Sequence, residues 1–178
     1  MRRRAIVVFV PEPTAGHDDL DVRRRWDPVM AGRIAAHLTL IHDVVDPAAA
    51  DDRLAAVTSS VAPFDIAFGP AATWGAAARG IYLGIADPTD RVGALHDQLA
   101  PVEDPRWLRH GFRPHVTVVH GRYVSAETAE AAWHELRGWW PRQRTTIDRL
   151  SVIEMHDHGW ETVAEHRLAA SPAVAPPP

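Results

Sequence analysis

One short phrase is written twice in this chain. His37-Leu38-Thr39-Leu40-Ile41-His42 returns as His115-Val116-Thr117-Val118-Val119-His120. Leu, Val, Ile and Thr favour extended backbone, so each copy reads as a short, mostly buried β-strand. Side chains alternate between the two faces of a strand. His37 and Thr39 therefore share one face, roughly 6.5–7 Å apart along the backbone, while Leu38 and Leu40 point into a core. His115 and Thr117 repeat the pattern over Val116 and Val118. The chain must fold so that two strands each bury an aliphatic face and present an imidazole and a hydroxyl on the other. Laid side by side about a pseudo-twofold axis, they bring four polar side chains to one cleft. Two imidazoles and two hydroxyls there make an acid–base site for phosphoester chemistry without a metal ion.

Composition narrows the chemistry. The 178 residues suit one compact domain or two small fused lobes. All 19 of the Lys and Arg residues are Arg. The chain thus has no P-loop lysine, no Schiff-base lysine and no lysine to carry an adenylate. It has no Cys either, which excludes thiol nucleophiles, disulfides and thiolate metal sites. A formal charge of −4 argues against a nonspecific nucleic-acid coat protein and leaves room for a local basic cleft. The Ala- and Arg-rich, Lys-free composition resembles a GC-rich bacterial coding sequence. Met1-Arg2-Arg3-Arg4 precedes an apolar run too short for a signal peptide, ended by Pro11. No run approaches membrane-spanning length. A cytoplasmic, soluble monomer is the expectation.

Along the chain, residues 5–10 read as a buried strand. Residues 18–26 read as a short helix, acidic in front and Arg-rich behind as the helix dipole favours, stopped by Asp27-Pro28. Residues 36–44 form the first motif strand, and residues 47–60 a helix with Pro47 at its first position. Residues 64–68 and 80–86 are strands, with 70–79 a turn or intervening strand. Asp87-Pro88 opens a helix ending near Leu99, with Val92, Leu95 and Leu99 as its apolar stripe. Residues 101–113 are a long connection into the second motif strand, 114–120. Ser125 N-caps a helix ending near Trp139. Residues 145–154 and 160–166 form a final hairpin around His156-Asp157-His158-Gly159. Residues 169–178 read as a flexible Pro/Ala-rich tail. One motif strand per half points to an α+β sandwich of two related lobes within residues 1–168. No Gly-rich strand–helix turn supports a doubly wound sheet.

These residues resemble the 2H phosphoesterase superfamily, which includes bacterial 2′-5′ RNA ligase-like proteins and cyclic nucleotide phosphodiesterases. Two His-x-[Ser/Thr]-x motifs define it, matched here by His37-Leu38-Thr39-Leu40 and His115-Val116-Thr117-Val118. Phe112-Arg113-Pro114-His115 resembles the family's approach to its second motif. Arg24-Arg25-Trp26-Asp27-Pro28, leading to Ala36-His37, resembles the approach to the first. Leu95-His96-Asp97-Gln98-Leu99 resembles the helix between motifs, and Trp160-Glu161-Thr162-Val163-Ala164-Glu165 the closing strand. The resemblance spans residues 4–168. It implies a bilobal, pseudo-twofold α+β fold: two antiparallel sheets flanked by helices, with a central cleft. It implies no metal and no cofactor, and as partner an RNA or small nucleotide with a 2′,3′-cyclic phosphate or 2′-5′ linkage. It makes His37 and His115 the catalytic pair and Thr39 and Thr117 the phosphate-binding pair. It favours a 2′-phosphomonoester product. Without a lysine for an enzyme–adenylate, any 2′-5′ RNA ligation is the ATP-independent reversal of ring opening.

In that chemistry one neutral His takes a proton from water while one protonated His supplies the leaving alkoxide. Free His titrates at roughly 6.5, so both forms exist at cellular pH. The Thr hydroxyls donate to nonbridging oxygens. The near-symmetric sequence does not say which His is the base. Arg113, then Arg109 and Arg79, are the candidates to hold a phosphate. Tyr82, Trp74, Trp107 and Phe112 are the candidates to stack a base.

Other features carry less. His42 and His120 lie five residues beyond the motif histidines. Strand parity puts them on the opposite face, as structural strand-end residues. His156-Asp157-His158 reads as a solvated hairpin tip rather than a metal site. The Arg runs 2–4 and 23–25 read as solvated faces, with an RNA-attracting rim as the alternative. His17, His96, His110, His134 and His166 show no pattern. Two other functions stay open: a non-catalytic nucleotide- or RNA-binding module of the same fold, and a His-based metallohydrolase.

Overall fold

Both motif phrases are strands, and alternation sorts their side chains. In β2 (His37–Ile41) and β5 (His115–Val119), Leu38, Leu40, Val116 and Val118 are fully buried. His37, Thr39, His115 and Thr117 keep partial exposure on the other face. The computed structural model describes residues 2–13 and 22–169. Around the motif strands run β1 (Arg4–Phe9), α1 (Val22–Trp26), α2 (Pro28–Arg33), α3 (Pro47–Ser60), β3 (Phe64–Thr73), β4 (Ile81–Ala86), α4 (Arg91–Leu99), α5 (Pro105–Leu108), α6 (Ala126–Leu136), β6 (Arg144–Ile147), β7 (Arg149–His156) and β8 (Gly159–Arg167).

The fold is α+β, with every strand pairing antiparallel. Where two sheets were expected, the strands form one eight-stranded sheet, in the order β6-β3-β4-β5-β2-β1-β7-β8. The reason lies at its centre: the motif strands pair with each other directly, Leu38 opposite Val116. The two lobes survive as halves of that sheet, β5-β4-β3-β6 answering β2-β1-β7-β8. One residue, Asp148, separates β6 at one edge from β7 beside the other edge. Consecutive Cα atoms are only about 3.8 Å apart, so the sheet curls until its ends meet. The expected strand 145–154 is for this reason two strands, whose partners, β3 and β1, belong to different halves.

Helices α3 and α4 supply Leu54, Val57, Val92, Leu95 and Leu99 to the core under Leu38, Leu40, Ile6 and Val116. Each such side chain contributes roughly 1.5–3 kcal/mol by leaving water. Ala5, Val7 and Ile153 form a smaller cluster with Ile34. Asp27 both ends α1 and caps α2, accepting from Met30 N at 2.9 Å. β3 runs beyond the expected residue 68 to Thr73, with a register shift between Phe68 and Ala71 that absorbs Pro70. The 101–113 connection carries a 3-10 turn and α5, which is capped by Asp104. α6 stops at Leu136, where Gly138 at φ 84° reverses the chain. Residues 18–21 of the expected first helix, and the tail from residue 170, lie outside the described residues.

The Arg runs are not simple solvated faces. Arg23 is 1% exposed. Its Nη1 donates to both oxygens of Glu12, at 2.7 and 2.9 Å, and its Nη2 donates to Ile34 O at 2.9 Å. Glu12 also accepts from Ala36 N at 2.7 Å, so this part-buried ion pair pins the chain immediately before His37.

Candidate active site

The two motif histidines are held in the same way. His37 Nδ1 donates to Ala35 O at 2.9 Å, and His115 Nδ1 donates to Arg113 O at 2.8 Å. A carbonyl only accepts, so the Nδ1 proton is fixed and Nε2 is left for chemistry. Each imidazole thus reaches back to the carbonyl two residues upstream, and the repeat in sequence becomes a repeat in tautomer. The Leu38–Val116 register sets His37 across from Thr117 and Thr39 across from His115, so each imidazole faces the other copy's hydroxyl.

All four side chains line one cavity of about 800 Å³. Phe9 lies edge-on to His37, with ring centroids 6.5 Å apart. Trp74 and Tyr82 lie edge-on to His115 at 4.8 and 5.5 Å. Burial pushes the His37 pKa down to about 4, helped by the charges of Arg23, His115 and His42. Burial also lowers His115, helped by the charges of His42 and Arg113. Burial thus favours the neutral form of both rings at neutral pH.

The other sequence candidates divide. Arg113, Arg79, Phe112, Trp74 and Trp107 line the cavity. Arg113 lies 5.6 Å from the Trp74 ring, and its Nη1 donates to Tyr82 Oη at 3.5 Å. Tyr82 is buried and does not line the cavity; it stacks behind Trp74 at 4.2 Å and so braces the wall. Phe112 turns one face to His96, stacked at 4.0 Å. Arg109 is exposed beyond α5 and does not line the cavity, although its neighbours Leu108 and His110 do.

Parity misplaced His42 and His120: both line the same cavity. Each copy ends on two consecutive buried aliphatics, Leu40-Ile41 and Val118-Val119, so alternation stops before the histidine. That doublet was visible in the sequence. Glu103 and His96 carried no signal. Glu103 is 4% exposed, yet it lines the cavity beside both histidines. Its Oε1 accepts from His42 N at 2.9 Å and lies 3.3 Å from His42 Nδ1, and its Oε2 lies 3.5 Å from His96 Nε2. Burial opposes the Glu103 charge, but the bonds from His42 and His96 hold its pKa down to about 2. Burial also opposes a charged His96, but Glu103 and Asp97 raise its pKa. His156 and His158 flank the β7–β8 turn beside Glu161. Among the described residues, no three His, Asp or Glu side chains converge as around a metal ion, and no helix is long and apolar enough to cross a membrane.

Comparison with known proteins bears on the fold and the family. In fold the chain resembles E. coli LigT, crystallised with ATP, at TM-score 0.56 and 18% identity, over 94% of this chain and 98% of that one. It resembles a crystallised phosphoesterase at TM-score 0.57 and 15% identity, over 95% and 99%. It resembles TT0787 of Thermus thermophilus at TM-score 0.56 and 13% identity, over 94% and 98%. No curated protein matches in sequence. The family model of the 2′-5′ RNA ligase superfamily matches residues 10–159, a span that contains both His-x-Thr motifs. The chain belongs to the 2′-5′ RNA ligase superfamily, the 2H phosphoesterases.

Proposed function

We propose that the protein is a metal-independent phosphodiesterase. It opens 2′,3′-cyclic phosphates, or cleaves 2′-5′ linkages, by paired-histidine acid–base catalysis. One observation carries this reading: two imidazoles with their Nδ1 protons tied to carbonyls, each across from a threonine hydroxyl, in one cavity. His37 and His115 are the catalytic pair, and Thr39 and Thr117 hold the nonbridging oxygens.

In ring opening, neutral His37 Nε2 takes a proton from water as the water oxygen bonds to phosphorus. The bond from phosphorus to the 3′ oxygen breaks, and His115, as imidazolium, gives that oxygen its proton. His37 takes the base role because burial and neighbouring charge keep its ring unprotonated and so able to accept a proton. The anionic phosphate restores the proton on His115, since a negative charge nearby favours the imidazolium. The Thr hydroxyls and Arg113 meet the oxygens on which charge accumulates. With a 5′-hydroxyl in place of water, the same steps join it to the ring phosphorus as the bond to the 3′ oxygen breaks, which makes a 2′-5′ linkage without ATP. LigT has been crystallised with ATP, with 3′-AMP and with phosphate, which supports a nucleotide as the ligand of this fold.

The test is a panel of 2′,3′-cyclic nucleotides and 2′-5′ dinucleotides in EDTA, with product analysis. Turnover to 2′-phosphomonoesters is expected. Tight binding without turnover would instead identify a binding module, and loss of activity in EDTA a metallohydrolase.

A further inference from the structure

Alternation along β1 sends alternate residues to the cleft. Ala5 and Val7 line it, and so does Arg3, just ahead of the strand. Arg2 and Arg4 instead turn to Glu154, at 3.4 and 2.9 Å. Arg3 is fixed by the site's own backbone: its Nε and Nη2 donate to His42 O at 3.2 and 3.0 Å. Its guanidinium lies 5.6 Å from the ring centroids of both Trp107 and Trp160. Asp43 Oδ2 is a distant 3.9 Å from Nε and is shared with Arg106 at 3.6 Å. Arg3 Nη1 has no hydrogen-bond partner among the described residues. A guanidinium braced in this way has already given up its rotamer freedom, so a ligand need not meet that cost.

Its surroundings suit an anion. Arg3, Arg79, Arg113 and Arg122 line the cavity, and Glu103 is the acidic residue lining it among those described. Glu103 is already engaged by His42 and His96. This concentration of positive charge stands in a chain of net charge −4. The position also separates Arg3 from the reacting phosphate. Its anchor, His42, lies three residues past Thr39, about 10 Å along the strand direction. A phosphate between the motif histidines does not extend that far.

We propose that Arg3, backed by His42, Trp107 and Trp160, forms a second anion subsite. Preferred ligands then carry a phosphate in addition to the one held between His37 and His115. This rests on reading the cleft as a nucleotide phosphoester site. The Nη edge of Arg3 meets a phosphate oxygen by a charge-assisted hydrogen bond. The group is a phosphate on the nucleoside's 5′ oxygen, as a terminal monoester or as a bridging diester.

The experiment uses the full chain and two readouts. Calorimetry compares 2′-AMP with adenosine 2′,5′-bisphosphate. Kinetics compare adenosine 2′,3′-cyclic phosphate with its 5′-phosphorylated form and with an ApA dinucleotide ending in the cyclic phosphate. The bisphosphate is expected to bind about tenfold more tightly, a difference worth about 1.4 kcal/mol. The 5′-phosphate is expected to raise kcat/KM by a similar factor through KM. Arg3→Met brings both ratios close to one, and Arg3→Lys retains part of each. Because each ratio compares two ligands on one protein, a general loss of folded protein cancels. A gain only with the dinucleotide assigns the subsite to a bridging phosphate. Equal binding of the two adenosine phosphates by the wild type together with no gain for the dinucleotide, or gains unchanged in Arg3→Met, overturns the subsite even if hydrolysis proceeds. If no cyclic phosphate is turned over but the bisphosphate still binds more tightly in an Arg3-dependent way, the catalytic reading falls and the subsite stands.

Discussion

The backbone N–H of His120 donates to Asp27 Oδ2 at 2.8 Å. The backbone N–H of His42 donates to Glu103 Oε1 at 2.9 Å. A carboxylate buried away from water thus catches the chain just past each motif strand, at the same place in both copies. Asp27 comes from the N-cap of α2 and Glu103 from the connection into β5, so no sequence similarity announces the match.

Asp27 is fully buried and serves two backbone donors, His120 N and Met30 N. Asp27→Ala strands both. The expected loss is roughly 2–4 kcal/mol of stability, a lost cap plus a buried unpaired N–H. Asp27→Asn, which keeps an acceptor, loses less. Urea denaturation of the two variants measures the difference.

Glu103 makes stability depend on pH. Its folded pKa, about 2, lies below the ordinary 4.5, so its contribution is present above 4.5 and disappears as the pH falls through about 2. It is on the order of 3 kcal/mol when complete. His96 is raised above 6.5, so its contribution is present below 6.5 and is lost as the pH rises through its folded value. Stability from this pair is therefore greatest between about 4.5 and 6.5. Glu103→Gln is expected to flatten the profile on both sides, as read by denaturation midpoints across pH. A variant profile as steep as the wild type's would remove Glu103 from the account.

Rate should follow the histidines. Turnover needs His37 neutral and His115 protonated, and in the free protein both titrate below 6.5. The kcat/KM profile is expected to be a bell centred on the acid side of 6.5. Bound phosphate raises both values, so the kcat bell is expected to lie at higher pH than the kcat/KM bell. Coincident bells would mean that the bound phosphate does not contact the imidazoles.

Leu38 and Val116 form the register pair that joins the two halves of the sheet, and both are fully buried. Leu38→Ala is expected to cost about 2–5 kcal/mol. It should also slow turnover in the protein that remains folded, since the same pairing aligns His37 with Thr117.

Much of this was legible in the chain. The repeat carries its own geometry, because period-two alternation puts Leu38, Leu40, Val116 and Val118 inside and their polar neighbours outside. The helix stripe of Val92, Leu95 and Leu99 and the cap Ser125 follow from equally local rules, whereas Asp27 reads only as a stop and not as the cap of α2. What escaped was non-local. Nothing near Asp148 reveals that one residue bridges the two ends of a curled sheet. Nothing near Arg23 reveals that it is buried and paired with Glu12. Tyr82 reads as a stacking platform until Trp74 is seen in front of it. His42 and His120 were misread for a local reason: the aliphatic doublet before each ends the alternation on which parity depends.

The most direct measurement of the central claim is steady-state turnover of a 2′,3′-cyclic nucleotide, in EDTA, by the wild type, His37→Ala and His115→Ala. Acid–base catalysis by this pair predicts that each substitution lowers kcat by roughly 10²–10⁴-fold, with folding intact by circular dichroism. Full activity in His115→Ala would contradict it.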